Sequence, residues 1–288
     1  MHYLLNKPIK RFYHISDIHL EFYNDESEWD AIFPRPDPDA LLVLAGDIIV
    51  WRYGAKFKAR SPVMRVLKRL SAEFGGVVYI PGNHEFFRGV AGGYYENKLR
   101  GFIAESGLRN VYLLNNDVVS IPAVSLDVIG TTLWTDMNKG DPVFATQVMR
   151  QSGTPSPLND LNQIRYTLDK KRFSRLRSQD IIEMHLQSKR FIESAVKASD
   201  ANRRLVVTHH LPSYRYVQDQ FRGHYLTPAY ASECDALLEG VDYWVFGHSH
   251  QVLDVEDRFF GTRILSNAAG YKSDLVKGFD PDAHVELE

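Results

Sequence analysis

The sequence predicts a layered α/β or α+β fold, and three observations carry that expectation. Apolar runs of strand length alternate with amphipathic stretches of helix length, which opposes both a helical bundle and an all-β barrel. No internal repeat or low-complexity segment breaks the alternation. The 288 residues, 44% hydrophobic and 24% charged, suffice for a single domain over 1–288 with a substantial core.

The elements follow in order. Phe12 to Ile15 is a short apolar strand that gives way to Ser16-Asp17-Ile18-His19. A loop with three prolines from Phe33 to Asp39 precedes Ala40 to Ala45, a fully buried strand that delivers Gly46-Asp47. Ser61 to Phe74 reads as a helix with a serine N-cap, proline in the first turn and Val63, Val66, Leu67 and Leu70 on one face. Val77 to Ile80 is a strand stopped by Pro81-Gly82, so Asn83-His84-Glu85 falls at its C-terminal end. A helix from Tyr95 to Glu105 and strands at Val111 to Leu114 and Leu126 to Gly130 come next. From about 137 to 204 the order changes to a helical insertion over one rim, with Asp180 to Ala198 its main helix. Strands then return at Leu205 to Thr208, ending in His209-His210, at Tyr243 to Phe246, ending in Gly247-His248-Ser249-His250, and at Arg263 to Ser266, ending in Asn267.

Composition narrows the partners. A net charge of -2 and a pI near 6.6 provide no global attraction to nucleic acid or an anionic membrane. Cys234 is the only cysteine, so neither an intramolecular disulfide nor a cysteine metal site can form. The N-terminus meets Lys7, Lys10 and Arg11 without an apolar signal core, and a cytoplasmic protein without a membrane partner is expected. The most basic window, Arg165, Lys170, Lys171, Arg172, Arg175 and Arg177 against Asp169, is either a solvated face or an attractor for a phosphate-bearing substrate.

Polar residues recur where strands end, the edge at which open α/β sheets bind ligands. Asp17 and His19, two apart on extended backbone, are expected to face one way and share a cation, and His248 and His250 repeat that spacing. Asp47 beside so apolar a run calls for a cation or hydrogen-bond donors. Of His209 and His210, one is expected to point inward. Together Asp17, His19, Asp47, Asn83, His209, His248 and His250 mix nitrogen and hard oxygen donors, which suits Mn, Fe, Zn or Co. Seven groups exceed the needs of one ion, and two ions need a bridging carboxylate, for which Asp47 is the natural choice.

Asp17-X-His19, Gly46-Asp47, Gly82-Asn83-His84-Glu85, His209 and Gly247-His248-X-His250, in this order, resemble the motifs of the calcineurin-like metallophosphoesterase superfamily. The resemblance implies a two-layer β sandwich flanked by helices, two divalent or trivalent transition-metal ions, and hydrolysis of a small phosphodiester or phosphomonoester by metal-activated water. It assigns Asp17, His19 and His250 to one ion, Asn83, His209 and His248 to the other, and Asp47 to both. It leaves His84 to stabilise phosphoryl charge or protonate the leaving oxygen, with Glu85 orienting it. Asn267, from its own strand end beside a glycine-containing loop, is expected to support the ligands from behind rather than to ligate. One departure stands out: members of this family often carry an Asp three residues after the bridging one, and here that position is Val50. A nuclease is the competing enzyme, opposed by the lack of a strong basic track near the motifs. A binding scaffold with a degenerate site is the competing non-enzyme, opposed by the intact ligand set.

Overall fold

The computed structural model describes residues 1–51, 61–149, 154–167 and 173–287. A five-stranded sheet runs in the order His284–Glu286, Arg11–Ile15, Asp37–Ala45, Phe74–Ile80 and Val111–Leu113. All its members are parallel except the first, an antiparallel edge. A seven-stranded sheet runs His2–Leu4, Asp117–Ile121, Leu126–Gly130, Arg203–Val207, Tyr243–Val245, Arg263–Asn267 and Val252–Glu256. Its strands from Leu126–Gly130 through Arg263–Asn267 are mutually parallel.

Alternation along the strands makes the layers. Phe12, Leu41, Val43, Val78 and Ile80 point to the same apolar layer as Val128, Leu205, Val207, Val245 and Leu265, so the two sheets share one core. The residues between them, Tyr13, Leu42, Leu44, Val77 and Tyr79, face the helices Pro62–Glu73 and Tyr94–Glu105. The first helix buries Val63, Val66, Leu67 and Leu70, the face its sequence marks out. On the far side, Ile129, Val206, Trp244 and Ile264 pack against Ile192 of the helix Ser178–Ala198. The architecture is thus a two-layer β sandwich flanked by helices.

The stretch 137–204 holds the short helices Met137–Gly140, Pro142–Val148 and Asp160–Gln163, two strand fragments, and the 21-residue helix Ser178–Ala198. That long helix carries the chain across the outer face of the larger sheet, from Leu126–Gly130 to its parallel neighbour Arg203–Val207. Asp169, Lys170, Lys171 and Arg172 of the basic window lie outside the described residues. Arg165 and Arg175 are exposed, and Arg177 pairs with Asp180 at 2.8 Å in the first turn of the long helix. Among the described residues no helix is long and apolar enough to cross a membrane.

At the end where the parallel strands terminate, the sheets are joined by backbone. Ser16 N–H donates to the Asn267 carbonyl at 3.2 Å, and Ala269 N–H donates to the Ser16 carbonyl at 2.9 Å. The Asn267 amide donates to the carbonyls of His14 and Asp280, at 3.0 and 2.7 Å, and so braces this seam.

His14 lies in the layer between the sheets, 5% exposed, with Nδ1 unpartnered. Burial lowers its imidazole from 6.5 to about 4. The unfolded chain therefore binds a proton that the folded chain refuses as pH falls from 6.5 towards 4, and stability must drop through that window. At pH 5 the loss is on the order of 2 kcal/mol from this group alone. His14→Phe should shrink the difference in unfolding free energy between pH 7 and pH 5 by about that much in urea titrations. An unchanged difference would show that His14 is not the acid-sensitive group.

Candidate metal centre

The site forms where parallel strands of both sheets run out. Asp17 and His19 follow Arg11–Ile15, Asp47 follows Asp37–Ala45, Asn83 follows Phe74–Ile80, His209 follows Arg203–Val207, and His248 and His250 follow Tyr243–Val245. All seven candidate donors converge, though not by the route their spacing suggests. Asp17 and His19 are not extended: both adopt left-handed backbone, with φ of 52° and 51°, as do His248 at 67° and His250 at 45°. Left-handed turns, rather than strand alternation, aim each pair. Asp47 shares the conformation at φ 54°. Such backbone is unfavourable for residues with a Cβ and persists only where surroundings fix it.

Two glycines permit the approach of the turns. A Cβ on Gly46, itself at φ +87°, would lie 2.3 Å from His209 Nδ1, and one on Gly82 would lie 2.1 Å from Asp47 Oδ1. Neither neighbour can yield, because each belongs to the converging set.

The donor atoms form three groups, each gathered within 4.8 Å: Asp17, His19 and His250; Asp47, His209 and His248; and between them His19, Asp47 and His84. His19 Nε2 faces His250 Nε2 at 3.4 Å, and the latter lies 3.5 Å from Asp17 Oδ1. His209 donates from Nδ1 to the Ala45 carbonyl at 2.9 Å, which leaves Nε2 aimed into the site; burial would lower this imidazole, but Asp47 lifts it to about 10, a field that bound cations would oppose. Its Nε2 is aimed at Asn83 Oδ1, 3.1 Å away, and Asp47 Oδ1, 3.4 Å away, both of them acceptors. His248 Nε2 is buried without a hydrogen-bond partner. Imidazole nitrogens and amide and carboxylate oxygens converging in this way on shared points fit a cation, and their mixture fits a transition metal.

Several supporting contacts depart from the sequence reading. Glu85 does not orient His84. Its wholly buried carboxylate accepts from the backbone N–H groups of Gly82, Asp47 and Ile48 and from the Tyr79 hydroxyl, at 2.7 to 2.9 Å. The carboxylate that meets His84 is Glu21, with Oε1 3.6 Å from His84 Nδ1 and 3.4 Å from His19 Nδ1. Its other oxygen accepts from Val50 N–H at 3.1 Å. A carboxylate thus arrives next to position 50 after all, from another segment. Both His209 and His210 are buried. His209 joins the donors, whereas His210 packs against Trp134 and His248 with Nδ1 on the Thr132 carbonyl, and burial pushes it down to about 3.

Asp160, buried in the stretch before the long helix, accepts from Asn83 Nδ2 at 2.8 Å and so turns Asn83 Oδ1 towards His209. Tyr271 stacks on His19 and Tyr230 on His248, with ring centroids 4.5 and 4.6 Å apart. None of these supports ends an apolar run of strand length: Glu21 lies in a single 3-10 turn, Asp160 opens a short helix, Tyr271 belongs to a two-residue strand and Tyr230 to a turn. His84 stacks on Phe87 with centroids 4.0 Å apart, and its Nε2 lies 3.9 Å from Asp47 Oδ2. Burial would lower the His84 imidazole, but Asp47 and Glu21 outweigh it and lift the group to about 9. Bound cations would oppose that field.

A model of the family described as calcineurin-like phosphoesterase matches residues 10–252. Among solved structures, the phosphopantetheinyl hydrolase from Mycobacterium tuberculosis is similar, with a TM-score of 0.63 over 93% of this chain and 92% of that one. Its 17% sequence identity makes that a likeness of fold. A search of curated protein sequences found no significant match. Because the family match spans most of the chain, with every candidate donor inside it, the chain belongs to the calcineurin-like phosphoesterases and is a metal-dependent phosphoester hydrolase.

Proposed function

We propose that the chain hydrolyses a small phosphodiester or phosphomonoester at a dinuclear centre. Asp17, His19 and His250 hold one ion, Asn83, His209 and His248 the other, and Asp47 bridges. The observation that carries this reading is the presence of two donor groups without a common member, Asp17-His19-His250 and Asp47-His209-His248, linked through His19 and Asp47. A single ion would leave one group idle. The donor mixture favours Mn, Fe, Zn or Co. The chain is read as one domain, in which the stretch 137–204 shapes access to the site.

When bound, the ions lower the pKa of water and neutralise phosphate oxygens. The side chains supply the rest. Glu21, with Oε1 3.6 Å from His84 Nδ1, draws that edge of the imidazole by its charge and leaves Nε2 for the substrate side. His84 donates its Nε2 proton to the leaving oxygen as the phosphorus–oxygen bond breaks. Phe87, stacked on the ring, keeps water from one face of it. Asp160 fixes the Asn83 amide so that its oxygen, and not its nitrogen, is presented.

Elemental analysis after reconstitution should find two transition-metal ions per chain, and Asp47→Asn should lower that occupancy. Saturation at one ion, or full retention by Asp47→Asn, would refute the bridge. His84→Ala should keep both ions while turnover falls by a factor on the order of 10² to 10⁴. Loss of an ion in that variant would make His84 a ligand, a role its place in the middle donor group permits. A metal-reconstituted assay comparing nitrophenyl phosphate, bis-nitrophenyl phosphate, cyclic nucleotides and DNA tests the substrate class. Small esters should be cleaved fastest, and faster cleavage of DNA with a steep loss of rate in salt would establish a nuclease instead.

A further inference from the structure

A pocket of about 450 Å³ stands over the candidate donors. Its floor is polar, with Asp47, Asn83, His84, His248 and His250. Its walls are largely apolar, with Phe87, Leu158, Val217, Phe221, Leu226 and Tyr230 from three separate stretches of chain, interspersed with Asn159, Gln218, His224 and Thr227. Phe221 and Tyr230 keep 48% and 38% of their surface exposed, as rings do when they wait for something to cover them.

Among the described residues that line this pocket there is no Lys or Arg. The loop that supplies Val217 and Phe221 does carry arginines, but they are directed elsewhere. Arg215 pairs with Asp235 and Asp257, Arg222 pairs with Asp219, and both line a second cleft beyond the same loop. Asp160, the other carboxylate of the pocket, is taken up by Asn83. Among the described residues, fixed positive charge for a substrate therefore comes from the floor, where ions can neutralise one phosphate, and the walls add only the imidazole of His224. A second anionic group on the substrate would lie against mostly apolar walls, stripped of water and with no Lys or Arg among their described residues to pair with it. An uncharged ring or alkyl group in that position would gain by burial.

Building on the phosphoesterase reading of this site, we propose that its substrates are esters of a single phosphate bearing an uncharged apolar or aromatic group, and that the walls reject a second anionic group. The walls act as a selectivity filter for what is attached to phosphorus, while the floor is indifferent to it.

Three phosphonates that cannot be hydrolysed test this by calorimetry on the Mn-reconstituted protein: methylphosphonate, phenylphosphonate and para-phosphonophenylphosphonate. Phenylphosphonate should bind at least about tenfold more tightly than methylphosphonate, from the buried ring. The para-phosphono compound should bind at least about tenfold more weakly than phenylphosphonate, because its second charge is left unpaired. Equal affinities within either pair overturn the proposal. Failure of all three to bind, with metal present, instead removes the reading of this pocket as the ester-binding site, on which the proposal rests. Phe221→Arg, at a half-exposed position and with its melting temperature checked, should narrow the gap between the phenyl and para-phosphono compounds by about tenfold. A folded variant with the original gap overturns the role of this wall.

Discussion

The carboxylate of Glu85 is the contact on which the site depends. It sits wholly inside the protein and gathers backbone N–H groups from Gly82, Asp47 and Ile48 together with the Tyr79 hydroxyl. The backbone donors belong to the turns that follow two adjacent parallel strands, and Tyr79 to one of those strands. One side chain therefore sets the distance between the turn bearing Asp47 and the turn bearing Asn83. Without it, three backbone donors would be left buried and unpaired, each at a cost of about 1 to 3 kcal/mol. Tyr79 in turn accepts from the Trp51 indole at 3.0 Å, which fastens the arrangement to the core beneath.

Left-handed backbone at five of the seven candidate donors is the local consequence of crowding them together. The unfavourable conformations are offset by backbone hydrogen bonds that continue the sheet beyond its last residues. Asp17 N–H donates to Gly46, His19 N–H to Asp47 and Leu20 N–H to Ile48, at 2.9 to 3.0 Å. The two loops thus run side by side as an irregular extension of their strands. Glu21, one residue further on, is carried to Val50 and His84 by the same pairing.

Much of this was legible in the sequence, for physical reasons that also explain what was not. Central parallel strands are covered on both faces, so Ala40 to Ala45 and Leu205 to Val207 read as unbroken apolar runs, and the polar residues after them mark the strand ends. Edge strands carry no such mark. His2–Leu4 and Val252–Glu256 are largely exposed, and His284–Glu286 buries only Val285, so none stood out as a run. Asp117–Ile121 alternates buried and half-buried residues but follows the preceding strand too closely to be separated from it. In the site, the candidate donors were marked by their position at the ends of single strands. The partners of Glu85, Glu21 and Asp160 followed from contacts between distant segments, to which local patterns are blind. Asp160 lies 77 residues from Asn83 in the chain, and its role emerges only when the loop folds back.

The donors of the site also lie at opposite ends of the chain: Asp17 meets His248 and His19 meets His250 across 231 residues. During synthesis, then, the first carboxylate leaves the ribosome long before its last imidazole partner exists. The five-stranded sheet can assemble most of its members early, yet of the candidate site it holds only Asp17, His19, Asp47, Asn83 and His84. The imidazoles of His209, His248 and His250 join only when the second sheet closes, so the complete set of candidate donors forms late, and the order in which the chain emerges separates its carboxylates from most of its histidines.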